Sequence, residues 1–199
     1  MISKRQQVLN LLQSLSVIRP KDLVERGLPK DYLYILAKEG IIIRVGRGLY
    51  QWPEKDIGRY QSLTEVCKRA PNAVVTLLSA LNYHNFTTQN PHQIWLAIDQ
   101  KSWRPKISYP PVRFITMSGE AINSGIDDTV IEGVAIKVFN PAKTVADCFK
   151  YRNKIGLDVA LESLKEGWAT DKFTMDELYH YAKICRVNKV MQPYIESLV

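Results

Sequence analysis

Apolar positions follow a helical period over residues 4–40 and then switch to short β-branched runs. Behind a capping-box pattern, Ser3-x-x-Gln6, the residues Val8, Leu11, Leu12 and Leu15 fall at i, i+3, i+4 and i+7. This spacing predicts one amphipathic helix from about Lys4 to Leu15. A second, shorter helix is predicted to begin at Pro20, a residue suited to a first helical position, and to end before Gly27, which can take the left-handed stop. A third runs from Pro29 to Gly40, with Tyr32, Leu33, Leu36 and Ala37 on one face and Lys30, Asp31, Tyr34 and Lys38 on the other. Ile41-Ile42-Ile43-Arg44-Val45, Gly46-Arg47-Gly48 and Leu49-Tyr50-Gln51-Trp52 then read as strand, turn and returning strand. Three short helices followed by a glycine-tipped hairpin predict a winged helix-turn-helix over residues 1–53.

The polar stretch Pro53-Glu54-Lys55-Asp56 predicts a linker near 53–58, so a second domain is expected over 59–199. Ser62-x-x-Glu65 is expected to cap a helix closed by Pro71, and Ala73 to Tyr83 to form a second, strongly apolar helix. Residues 93–98, 112–116, 129–131 and 134–139 read as strands separated by Pro-rich or Gly-containing turns. Asn140 as cap and Pro141 as first residue launch a helix through Tyr151. Further helices are expected over Leu157 to Glu166, from the Thr174-x-x-Glu177 capping box to Ile184, and in a terminal segment kinked or broken at Pro193. The fold class that follows is α+β: an N-terminal winged helix-turn-helix, then a mixed α/β domain with a small sheet and C-terminal helices.

Composition narrows the classes. The chain has 199 residues, 46% hydrophobic and 24% charged, which fits folded domains and excludes a disordered tail. Cys67, Cys148 and Cys185 are odd in number and far apart, which argues against a disulfide framework or structural zinc and for a reducing compartment. The longest apolar stretch, Ala73 to Leu81, falls far short of the ~20 residues that span a bilayer. Met1-Ile2-Ser3-Lys4-Arg5 is basic with no apolar segment behind it, so neither a signal peptide nor membrane association is expected, and the expected location is cytoplasmic.

Charge is uneven. Net charge is +7, yet residues 1–53 carry nine basic and four acidic side chains, so most of the excess sits in the first quarter. Within a winged helix the third helix can lay its outer face in the major groove. Lys30, Asp31, Tyr34 and Lys38 are then the candidate base readers. Arg47 at the hairpin tip, flanked by Arg44, is placed for backbone phosphate or an adjacent minor groove. Lys4, Arg5, Arg19 and Lys21 lie at helix starts, where unpaired backbone N–H groups also favour phosphate. Double-stranded operator DNA is the expected partner. Ordinary solvated charge on a three-helix domain is the plainer alternative.

The run Tyr32-Leu33-Tyr34-Ile35-Leu36-Ala37-Lys38-Glu39-Gly40, with Arg44-Val45-Gly46-Arg47-Gly48-Leu49-Tyr50, resembles the N-terminal winged helix of the AbiEi family, antitoxins of type IV toxin-antitoxin systems first associated with abortive phage infection. Ser79-Ala80-Leu81-Asn82-Tyr83-His84 and Phe139-Asn140-Pro141-Ala142-Lys143-Thr144-Val145-Ala146-Asp147-Cys148 are similar to that family's larger domain. The resemblance implies a transcriptional autorepressor whose larger domain counteracts a cognate nucleotidyltransferase-like toxin. No Gly-x-Ser-x-Gly, phosphate loop or dinucleotide fingerprint is present, so neither an enzyme nor a cofactor is expected, and a homodimer on the operator is the assembly to be tested.

The rival from another class is a Mg²⁺-dependent nuclease of the restriction type, for which Asp99-Gln100-Lys101 at a strand end is the best fragment, with Glu65 or Glu120 as a further carboxylate. A lone Asp-x-Lys at a strand end equally suits a solvated turn. A third reading is an adaptor whose winged helix binds protein. His84, His92 and His180 form no His-x-x-x-His pair, and each reads as a surface or half-buried packing residue. Cys148 is expected to pack inward as a small hydrophobe. Lys143 and Asp147, spaced i, i+4, read as a helix-face pair of the kind typically worth ~0.3 to 0.5 kcal/mol. Lys150, Arg152 and Lys154 are three cations at a helix C-terminus, where cations are favoured; a second electropositive patch is the sharper alternative.

Overall fold

The computed structural model describes residues 3–15, 17–52, 60–87 and 91–198. The predicted linker at 53–58 lies outside the described residues. Contacts divide the chain into two units, Met1–Lys68 with Val130–Ala135, and Arg69–Thr129 with Ile136–Val199.

The first unit opens with α1 (Lys4–Ser14), α2 (Pro20–Val24) and α3 (Asp31–Lys38), followed by a hairpin of β1 (Ile43–Gly46) and β2 (Leu49–Gln51). Ser3 caps α1, its hydroxyl accepting from Gln6 N at 3.2 Å. The Gln6 side chain donates through Nε2 to Asn10 Oδ1 at 3.0 Å, one turn along the helix. Val8, Leu12, Leu23, Leu33, Leu36 and Ile42 are buried in one apolar cluster, which is what the helical spacing of α1 and α3 requires. Strands β1 and β2 pair antiparallel with an irregularity between Arg44 and Gly46, and Gly48 takes φ +68 in the connecting turn. Ile18 bridges to Tyr50 and so adds a third segment to the hairpin. This is a winged helix-turn-helix, with β1 starting two residues later than the β-branched run suggested.

Helix α4 (Gln61–Arg69) begins one residue before Ser62, so Ser62 sits inside the helix and does not cap it. Its residues up to Lys68 count with the first unit. Gln61 Nε2 donates to Gln51 Oε1 at 2.9 Å, and Lys68 Nζ pairs with Asp22 Oδ2 at 2.5 Å while also donating to the Val17 carbonyl.

A five-stranded sheet in the order β5-β4-β3-β7-β6 underlies the second unit, apart from residues 130–135 at the end of β6 and the start of β7, which count with the first. Its strands are β3 (Val74–Val75), β4 (Ile94–Asp99), β5 (Val112–Met117), β6 (Ile126–Ile131) and β7 (Val134–Phe139). The single helix expected over Ala73 to Tyr83 is in fact β3 followed by α5 (Leu77–His84). Val74 and Val75 pair with Ala97 and Leu96 of β4, and Val75 with Val138 of β7, so the sheet's centre is a two-residue strand. Two β-branched residues inside an apolar run carry too little periodicity to separate strand from helix; the flanking strands decide. Strand β6 is also longer than expected, its edge position tolerating the exposed Asp127 and Asp128. Glu132 and Gly133, both at positive φ, make the two-residue connection to β7.

Helix α6 (Glu120–Asn123) interrupts the strands, and the chain finishes with α7 (Pro141–Lys150), α8 (Arg152–Ile155), α9 (Leu157–Ala169), α10 (Met175–Ile184) and α11 (Asn188–Glu196). Asn140 Oδ1 accepts from Lys143 N at 2.9 Å and Pro141 occupies the first turn of α7. Thr174 and Glu177 form a complete capping box on α10. Pro193 lies inside α11 instead of ending it. Helix α7 is central: its residues from Ala142 to Phe149 are all buried, packed with α5, α9 and α10.

Candidate nucleic-acid interface

Helix α3 presents the face expected for reading bases. Its backbone enters through Tyr32 N to Pro29 O and Leu33 N to Lys30 O, which places Lys30 just ahead of the first turn. Leu33 and Leu36 are buried, and this orients Lys30, Asp31, Tyr34 and Lys38 outward; all four are exposed, Tyr34 at 67%. Ile35, not among the residues expected on this face, is 43% exposed on the same helix, next to Tyr34 and one turn beyond Asp31. An exposed aliphatic in that position suits contact with a thymine methyl group. Its signal was its i+4 spacing from Asp31.

The remaining cations separate into groups. Arg47 is exposed in the wing turn, and Lys4 is exposed at the start of α1. Among the described residues no carboxylate pairs with Lys4, Lys30, Lys38 or Arg47. Arg5 by contrast pairs through Nη2 with Glu39 Oε2 at 2.6 Å, and Lys21 with Glu25 at 3.4 Å one turn along α2. Arg44 Nε donates to the Gly46 carbonyl of its own strand at 3.1 Å. Arg19 is half-buried ahead of α2, its backbone N–H donating to Asp22 Oδ2 at 2.6 Å. Pairs as exposed as Arg5–Glu39 and Lys21–Glu25 are weak enough that a phosphate can replace the carboxylate.

The nuclease fragment is arranged as a turn. Asp99 Oδ1 accepts from Lys101 N at 2.7 Å just beyond β4, Glu65 is buried in α4, and Glu120 is exposed at the start of α6. Among the described residues no three His, Cys, Asp or Glu side chains are grouped to hold a metal. The cysteines are buried free thiols; burial pushes the Cys185 thiol up to about 12 and raises the other two as well, which removes thiolate reactivity. His84 is half-buried, with Nε2 2.7 Å from the Phe139 carbonyl, while His92 and His180 are exposed.

Residues 6–53, which take in α1 from its third residue, α2, α3 and the wing, match the family described as transcriptional regulator, AbiEi antitoxin. The N-terminal segment is thus similar to AbiEi regulators. The AbiEi match ends at the close of the wing, so the downstream motifs of α5 and α7 lie beyond it. A comparison with curated proteins gives no match. Among the described residues no helix is long and apolar enough to cross a membrane.

Proposed function

We propose that this protein is a DNA-binding autorepressor and the antitoxin of a type IV toxin-antitoxin pair. In this reading α3 enters the major groove with Lys30, Asp31, Tyr34 and Lys38 at base edges, Arg47 reaches the flanking backbone, and Lys4, Arg5, Arg19, Lys21 and Arg44 add phosphate contacts. The second unit counteracts a nucleotidyltransferase-like toxin, and two protomers occupy the operator. The protein acts by binding and performs no catalysis. The observation that carries the reading is the exposure of the whole outer face of α3, together with an exposed arginine at the wing turn, inside the segment that matches AbiEi regulators.

The experiment has two arms. Fluorescence anisotropy with DNA from upstream of the protein's own gene should show saturable binding that random duplex of equal length competes for poorly. Co-expression with a neighbouring nucleotidyltransferase should restore growth that the latter alone arrests. Equal binding to both duplexes overturns the repressor part; growth arrest undiminished by co-expression overturns the antitoxin part.

A further inference from the structure

The cations at the end of α7 belong to a cavity. Within the second unit a cavity of about 840 Å³ is lined by Lys150 at the end of α7, Arg152 at the start of α8, Lys183 near the end of α10 and Arg186 just beyond it. Glu120 contributes the one carboxylate of the lining, so four cations face a single negative charge. Among the described residues none of the four cations is held in an ion pair. Lys154, the third member of the cationic run in the sequence, does not line the cavity.

Three further features make this more than a charged surface. Arg152 Nη1 donates to the Phe149 carbonyl at 2.8 Å, which anchors the guanidinium and leaves its other donors available. Arg186 takes φ +59 as the left-handed stop of α10, where Val187 N donates to the Ala182 carbonyl at 2.9 Å, so the helix end fixes the point from which its side chain starts. Cys185, also in the lining, donates through Sγ to Asp147 Oδ1 at 3.2 Å, and Lys143 neutralises that carboxylate from its other oxygen. The buried acid behind the wall therefore adds no uncompensated negative charge. The same lining carries Ile184, Val187 and Val190, aliphatic surface that a bare inorganic ion would leave uncovered.

We propose that this cavity binds a small organic polyphosphate of the nucleoside di- or triphosphate class. Its volume falls in the range of ligand pockets, roughly 300 to 1,000 Å³. The excess of three positive charges matches a multiply charged phosphate chain better than a monocarboxylate. Two guanidinium forks and two ammonium groups offer the donors that phosphate oxygens accept, and the aliphatic strip seats the uncharged part of the ligand. This site is independent of the DNA-binding reading.

Isothermal titration of the full chain tests the proposal, with ATP and inorganic pyrophosphate as probes at one ionic strength. Saturable ATP binding is expected, weakened about tenfold or more in the Lys183→Ala/Arg186→Ala variant and unchanged in Lys154→Ala. Pyrophosphate should bind more weakly than ATP, because it leaves the aliphatic strip empty. Circular dichroism establishes that the double variant is folded, and Lys183→Gln alone provides a milder second variant with a smaller loss in the same direction. No saturable binding of either probe, or binding undiminished in the folded double variant, overturns the site. Pyrophosphate binding as tight as ATP overturns the organic part of the ligand.

Discussion

Lys143 Nζ donates to Asp147 Oδ2 at 2.5 Å with both side chains fully buried, one turn apart on α7. Their spacing read as a surface pair; burial changes its meaning. Cys185 Sγ donates to the second carboxylate oxygen, and the Phe139 ring lies with its centroid 4.1 Å from the Lys143 nitrogen. Desolvation pushes the Asp147 carboxyl above its ordinary value, against the opposing pull of Lys143. Such a pair contributes little net stability against an apolar replacement, yet removing one partner strands a buried charge.

Lys143→Met is therefore expected to cost about 3 to 5 kcal/mol in chemical denaturation, and Asp147→Leu a similar amount, with the double variant recovering most of the loss. Asp147 in Lys143→Met would bind a proton more readily folded than unfolded. Stability of that variant should thus rise as pH falls from neutral toward 3.8, the ordinary value of the carboxyl.

His84 gives the opposite sign. The Phe139 carbonyl can only accept, so Nε2 carries the hydrogen of this bond. Burial holds its pKa below 6.5, so the unfolded chain takes up the proton first as pH falls. This contribution is intact above pH 6.5 and is lost as pH drops from there through the lowered value, at no more than about 1.4 kcal/mol per pH unit. Urea midpoints between pH 7.5 and 5 should fall more steeply in the wild type than in His84→Gln.

Asn140 works at both ends of its amide. Oδ1 caps α7 through Lys143 N, and Nδ2 donates to the Tyr181 hydroxyl at 2.9 Å. Asn140→Ala should lower stability by about 0.5 to 2 kcal/mol. Asn140→Asp, which keeps the cap acceptor, should cost less by the same thermal-melt measurement.

Two glycines at positive φ should respond unequally to alanine. Gly125, at φ +71, would bring a Cβ within 2.9 Å of Lys143 Cβ and Tyr181 Cε1, whereas Gly48 at φ +68 has only Pro20 Cδ near, at 3.9 Å. Both substitutions incur backbone strain of order 1 kcal/mol, and Gly125→Ala adds a clash against the buried α7. Calorimetric melting should therefore show a clearly larger drop for Gly125→Ala.

On DNA, Arg47→Ala should weaken all sequences alike and reduce the salt slope by about 1, whereas Lys30→Ala or Lys38→Ala should change the preference between operators. With about five phosphate contacts per protomer, log affinity should fall against log salt with a slope near 4 to 5. Salt titrations of each variant on operator and random duplex distinguish the two classes of contact.

The helices of the first unit were legible because each carries its own instructions. Ser3 as cap, Pro20 at a first turn and the spacing of Leu33 and Leu36 act within one or two turns of chain. The Asn140 and Thr174 caps of the second unit are local in the same way. What the sequence could not show depends on partners distant along the chain. Val74 and Val75 became a strand only because β4 and β7 flank them. Lys143 and Asp147 became a buried pair only because α7 is enclosed by neighbouring helices. Lys150 and Arg152 parted from Lys154 because α10 and its following turn bring Lys183 and Arg186 beside the first two. Hydrogen bonds and periodicity along one segment are fixed by local geometry, whereas desolvation and the gathering of charge arise when segments meet.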